Sequence, residues 1–331
     1  MRPRLTAAAA LLLLTAGCVG GGRSTARDDS GAATSPATSP SPASSTPPAS
    51  ATSATNAGTS GSTSSPRPAS TTRSATSSTT STGPSNSATS SLAAQLGEIA
   101  ATAVDSFGGT AGIAVAAPFS TPTAGGTWST GPAWSTAKVP VAIAALADNP
   151  GDDNLRTLAS SAIRLSDNDA AEQLWASLGE PQTAGTRTQA VVRELGDRHT
   201  VVQWQRIRPP FTAFGQTQWA LTDAAVAAAG LPCRASAGPV LDLMGRIDPS
   251  QAFGLGHVPG ARFKGGWGPD PAGRYLTRQL GVIDTAAGHV GVALAAQPAS
   301  GSFEAGQGAL SLMADRLAAR LDRLPAAPCA G

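Results

Sequence analysis

The chain has 331 residues, of which 13% are charged and 4% aromatic, and its formal charge is +2. So small a charge provides no electrostatic footprint for a nucleic acid, and three Cys and three His at no metal-ligand spacing provide no framework for a metal. The dilution of charge and aromatics has one source, a Ser/Thr/Pro/Ala/Gly tract near the N-terminus, and the remaining ~240 residues are ample for one hydrophobic core.

In chain order, the first segment reads as an export signal. Arg2 and Arg4 precede an apolar run from Leu5 to Leu14, too short to span a bilayer, and then Thr15-Ala16-Gly17-Cys18. That ending resembles a bacterial lipobox, with Thr15 where Leu is commoner. The resemblance implies a signal peptide over 1–17 and lipidation of Cys18, which would hold the chain on the outer face of the cell membrane. Residues 18–90 are small and polar with no apolar period, and are expected to form a disordered tether with an r.m.s. span of roughly 45 Å. Such a Ser/Thr/Pro tract is also able to accept sugars.

The folded part is expected over 91–325, with 326–331 as a tail. Leu92, Leu96, Ile99, Ala100 and Val104 recur at helical spacing up to about Phe107. Residues 109–116 read as a strand, with Thr127-Trp128-Ser129 as its hairpin partner after a Gly125-Gly126 turn. Helices are expected over 135–147, opened by Ser135, over 152–165 and over 220–230, the last closed by Gly230 and Pro232. Three strands follow at 261–266, 275–285 and 289–296, and then an amphipathic helix over 305–324 carrying Leu310, Met313, Leu317 and Leu321 on one face. The order predicts an α/β chain of the α+β type. One antiparallel five-stranded sheet is flanked by the terminal helices, with an all-helical insert. Phe211, Phe214, Trp219 and Leu221, after Pro209-Pro210, are expected to pack on the helical part as core. Trp134, next to Ser135, is expected to line the cleft or fill the core, with the core favoured.

Lysine usage points to chemistry. Of 23 basic residues only two are Lys, at 138 and 264. Arginine keeps its proton in proteins, whereas a buried lysine can lose one and act as a base. Ser135-Thr136-Ala137-Lys138 places an amine one helical turn from a hydroxyl, so that a neutral Lys138 can activate Ser135 as a nucleophile. The helix N-terminus at Ser135 favours developing negative charge. In a Ser-rich chain this spacing alone is common. The rarer triplet Ser166-Asp167-Asn168 follows, and then Phe263-Lys264-Gly265-Gly266-Trp267 on a predicted strand.

Together and in this order, these resemble the S-x-x-K, S-D-N and K-T-G motifs of the class A β-lactamases and penicillin-binding proteins, over residues 91–324. The resemblance implies a serine hydrolase with no cofactor, acting as a monomer on a β-lactam or a peptidoglycan stem. By its roles Ser135 is acylated and Lys138 is its base. Ser166 relays a proton with Lys264 beside it, and Asn168 binds substrate and helps to hold Lys138. The backbone N–H groups of Ser135 and Trp267 form the oxyanion hole, Gly265 and Gly266 edge the substrate, and Asp167 is structural.

The chain also departs from the pattern. Where a loop glutamate is expected to activate the deacylating water stands Gln205, which can position a water but cannot take its proton. Slow deacylation is therefore expected unless Glu194, Asp197 or a shifted loop substitutes. Gly265 replaces a hydroxyl residue, leaving Arg274, or else Arg278, to meet a substrate anion. The stretch from Ser135 to Ser166 is short for the family, which implies an open cleft. A non-catalytic binder of peptidoglycan or of a protein is the competing reading. His199, His257 and His289 are scattered and suggest no Ser-His-Asp triad. Cys233 and Cys329, the two Cys left after Cys18, are able to pair in an oxidising envelope.

Overall fold

Helix α1 (Leu92–Phe107) starts where the Ser91 hydroxyl accepts a hydrogen bond from Ala94 N and stops at Gly108, whose φ is 65°. It opens the part of the chain that the computed structural model describes, residues 91–329; the 1–17 signal, Cys18 and the 18–90 tether lie outside the described residues. After α1 come β1 (Thr110–Ala116), β2 (Thr123–Gly126) and the short β3 (Thr130–Pro132). A 3₁₀ turn (Trp134–Ala137) leads into the helical part: α2 (Lys138–Asp148), α3 (Asp153–Ser160), α4 (Asn168–Ser177) and α5 (Pro181–Glu194). Strand β4 (Gln218–Ala220) pairs with β3, and α6 (Leu221–Gly230) and α7 (Gly238–Met244) follow. The chain then returns to the sheet with β5 (Arg262–Pro269), β6 (Tyr275–Thr285) and β7 (Gly288–Gln297), and closes with α8 (Phe303–Ala318).

The main sheet is antiparallel, in the order β2-β1-β7-β6-β5. Its two faces divide by side-chain size. Ile113 and Val115 of β1 and Val290, Val292 and Leu294 of β7 pack under α1 and α8 with Leu96, Ile99, Leu310, Met313 and Leu317. The alternate residues, Ala114, Ala116, Ala293 and Ala295, meet the helical part. Small residues on that face let α6, an Ala-rich helix, lie against the sheet. A Cβ on Gly291 would come within 2.1 Å of the Ala225 carbonyl oxygen.

The structure moves one expected strand. The partner of β1 is 123–126, not Thr127-Trp128-Ser129, with Gly112 opposite Gly126 and Val115 opposite Thr123. Gly125 and Gly126 are strand residues rather than a turn because α1 crosses them closely: a Cβ on Gly125 would lie 2.2 Å from Gly97 N. Other boundaries shift less. The helix expected over 152–165 ends its regular part at Ser160 and finishes as a π turn (Ser161–Leu165). The last helix begins at Phe303, capped by Ser302, and gives way to a separate 3₁₀ turn (Leu321–Arg323). Cys233 and Cys329 are joined, and backbone hydrogen bonds between His289 and Ala327 lay the tail along β7.

Candidate active site

Three segments far apart in sequence meet at one cleft of about 640 Å³. Ser135 reaches it from the 3₁₀ turn before α2, Ser166 and Asn168 from the start of α4, and Trp267 from β5. Backbone closeness depends on two glycines. A Cβ on Gly266 would sit 2.8 Å from the nitrogens of both Ser135 and Thr136, and one on Gly268 would lie 2.6 Å from the Trp134 ring. The glycine-rich stretch of β5 therefore lies directly against the turn that carries Ser135.

Two residues at the cleft hold left-handed backbone without being glycine: Trp134 at φ 49° and Ser166 at φ 59°. Such geometry costs on the order of 1–3 kcal/mol and persists where the surroundings enforce it. Here the Trp134 ring is wedged between Gly268 and Phe211, the latter edge-on with centroids 5.1 Å apart. Ser166 terminates the π turn, a wide turn frequent at functional sites. Asp167 then caps α4, its Oδ1 accepting from Asp169 N and Ala170 N at 2.8 and 3.1 Å. This matches the structural role expected of Asp167.

The twist at Ser166 presents its two oxygens to two lysines. Lys138 Nζ donates to the Ser166 carbonyl at 2.5 Å and to Asn168 Oδ1 at 2.8 Å, and lies 3.5 Å from Ser166 Oγ. Lys264 Nζ donates to Ser166 Oγ at 2.8 Å and to the Gly265 carbonyl at 2.9 Å. Both side chains are buried, at 1% and 0% exposure. Burial pushes Lys138 down from 10.5 to about 7, against the opposing pull of the Asp167 and Glu172 charges. Burial, and then repulsion from Lys138, holds Lys264 well below the ordinary lysine range. A neutral Lys138 has two N–H groups, which the Ser166 carbonyl and Asn168 satisfy. Its lone pair is left to take a proton.

Other residues fall differently from expectation. Gln205 is exposed, and its backbone N–H donates to Gln203 Oε1; it does not line the cleft, and the next residue, Arg206, does. Arg274 is turned to a hairpin salt bridge with Asp270 at 2.9 Å and is also outside the cleft lining. The hairpin turn 270–274 brings that partner within reach, so Arg274 is not placed to meet a substrate anion. Arg278, the fallback, is fully buried. Its Nη1 donates to the carbonyls of Gly131, Pro132 and Trp219, which ties β6 to the small β3–β4 sheet.

Asp197 is no spare base. Its carboxylate is buried and accepts from His199 N, Thr200 N and Trp219 Nε1. Glu194 ends α5 away from the cleft lining. Phe214, Trp219 and Leu221 are core as expected, whereas Phe211 lines the cleft. Each histidine pairs with a carboxylate outside the cleft: His199 with Asp223, His257 with Asp315, His289 with Asp284. Sequence reading missed Glu172, Arg206 and Tyr275, all of which line the cleft. Only Glu172 carried a local signal, four residues after Asn168 on the same helix.

No family model matches the sequence, and no curated protein matches it. Solved structures do. A β-lactamase from Sphaerobacter thermophilus is similar with a TM-score of 0.54 and 20% identity, over 70% of this chain and 98% of that one. A β-lactamase from Burkholderia vietnamiensis gives 0.53 and 18%, over 68% and 96%. The class A β-lactamase of the last common ancestor of Gram-negative bacteria gives 0.53 and 20%, over 68% and 99%. The described chain thus has the class A β-lactamase fold, as the three motifs imply.

Proposed function

We propose that the protein is an exported serine acyl-enzyme that opens an amide or lactam bond of a β-lactam or a peptidoglycan stem, with Ser135 as the acylated residue. The observation that carries this is the convergence of two buried lysines on Ser166, in the cleft that Ser135 lines. In the first step, neutral Lys138 takes the Ser135 proton as Oγ attacks the carbonyl carbon. The oxyanion is met by the backbone N–H groups of Ser135 and Trp267, whose approach the absence of a side chain on Gly266 permits. Ser166 hands its proton to the leaving nitrogen and is reprotonated through the lysine pair. Slow deacylation belongs to this reading, because Gln205 supplies no base and does not line the cleft.

Attachment through a lipidated Cys18, with the domain on the 18–90 tether outside the cytoplasm, completes the proposal. It rests on the sequence of the first 90 residues. The test is to incubate envelope fractions with a fluorescent penicillin, beside Ser135→Ala and Cys18→Ser variants. A band lost in Ser135→Ala, and released to the medium in Cys18→Ser, is expected. An unlabelled wild type overturns the activity, and a membrane-bound Cys18→Ser overturns the anchor.

The binder reading is favoured by one observation, the absence of both Arg274 and a K-T-G hydroxyl from the cleft lining. Cell-wall material retained equally by wild type and Ser135→Ala, with no covalent label on either, is its signature.

A further inference from the structure

Release of an acyl group from Ser135 needs a group to take a proton from the attacking water. Gln205 lies outside the cleft lining, Asp197 is buried in its own hydrogen bonds, and Glu194 lies elsewhere. The lining itself holds two carboxylates, Asp169 and Glu172. Asp169 is solvent-exposed in the first turn of α4. Glu172 follows Asn168 by one helical turn, so the two share the face of α4 that borders Ser135 and Ser166. Its side chain is 32% exposed. Its Oε1 accepts from Arg206 Nη2 at 2.7 Å, and Arg206 is itself steadied by the Pro210 carbonyl at 3.1 Å. Among the described residues, Glu172 Oε2 accepts no hydrogen bond and is available to a water.

From this placement we infer that Glu172 is the general base for deacylation and that Arg206 is its positioning residue. The inference rests on the acyl-enzyme reading above. In the step, a water gives one proton to Glu172 Oε2 while its oxygen bonds to the ester carbonyl carbon. The tetrahedral intermediate collapses by breaking the bond between that carbon and Ser135 Oγ. The proton held by Glu172 passes to Oγ, restoring the serine and the carboxylate and freeing the acyl group as its acid. The base thus comes from α4, and the loop that should carry it carries its arginine partner instead.

The experiment labels the full chain with a fluorescent penicillin, removes excess reagent, and follows label gain and label loss separately. Glu172→Gln is expected to lengthen the adduct lifetime by at least about tenfold, a larger change than any in its rate of label gain. Slower label loss at an unchanged melting temperature is expected in this variant, a combination that a purely structural role does not produce. Arg206→Gln breaks the same ion pair but keeps the base, and is expected to slow release less. A folded Glu172→Gln that releases label within twofold of wild type overturns the inference. So does equal slowing in both variants with equal loss of melting temperature, which reduces the pair to a strut. Wild type that gains no label on Ser135 overturns the acyl-enzyme reading itself, and this inference with it.

Discussion

Lys264 Nζ stands 2.8 Å from Ser166 Oγ, across 98 residues of sequence, and among the described residues no carboxylate hydrogen-bonds to either group. A buried amine held by a hydroxyl, a backbone carbonyl and the Trp267 ring 6.0 Å away, with no anion to neutralise it, is poorly supported as a cation. Ser166 is consequently a group that can both give a proton and receive one. Ser166→Ala is expected to keep the fold, since the Ser166 carbonyl still accepts from Lys138. Acylation of Ser135 is expected to fall by about 10²–10⁴-fold, the usual worth of a positioned proton donor. Stopped-flow labelling beside a thermal melt checks both statements.

Lys138 sets the pH dependence. Acylation requires its neutral form, so the rate should climb about tenfold per pH unit up to about pH 7 and flatten above it. The lowered value also bears on stability. Between about 7 and the unfolded 10.5, the unfolded chain binds a proton that the native state does not, so stability rises with pH across that window. Lys138→Arg keeps the charge but removes the base, and is expected to abolish acylation at every pH. A pH profile of label gain, with this variant as control, is the measurement.

Gly265 and Gly266 are neighbours with opposite tolerances. A Cβ on Gly266 would fall 2.8 Å from Ser135 N, whereas one on Gly265 would meet nothing nearer than the Trp267 ring at 3.4 Å. Gly266→Ala is therefore expected to push the Ser135 turn away from β5 and cost acylation at least about a hundredfold, the scale of losing one oxyanion donor. Gly265→Thr is expected to fold normally and to strengthen binding of a carboxylate-bearing β-lactam by restoring the missing hydroxyl. Titration of both variants with the same penicillin separates the two effects.

The Cys233–Cys329 bridge closes a separation of 96 residues. On the loop-entropy model, such a link contributes about 3–5 kcal/mol, or roughly 6–20 °C for a domain of this size. Cys329→Ser is expected to lower the melting temperature by that amount and to leave acylation at 25 °C unchanged, since the tail lies along β7 away from the cleft. Differential scanning calorimetry with a parallel labelling assay checks it.

The parts of this design visible in the sequence are those with a local or one-letter signature. Helix α1 shows as a 3.6-residue period, β7 as an apolar run, and the two lysines stand out against an arginine background. What stayed hidden depends on distant contacts. Gly125-Gly126 looks like a turn until α1 is laid across it. Arg274 looks available until the 270–274 hairpin brings Asp270 to it. Gln205 occupies the expected position along the chain, yet the loop's backbone turns Arg206 toward Glu172 instead. Loop conformation is set by packing rather than by periodicity, so a one-residue offset of this kind leaves no trace in sequence.

The most direct measurement is intact-protein mass spectrometry of the chain incubated with benzylpenicillin, followed by peptide mapping, at pH 6 and pH 8. The expected result is a single adduct of the mass of the intact drug on Ser135, formed faster at pH 8 and absent from Ser135→Ala and Lys138→Arg. A chain that stays unmodified with penicillin and with a D-Ala-D-Ala thioester alike, or an adduct on any other residue, contradicts the assignment of Ser135 as a lysine-activated nucleophile.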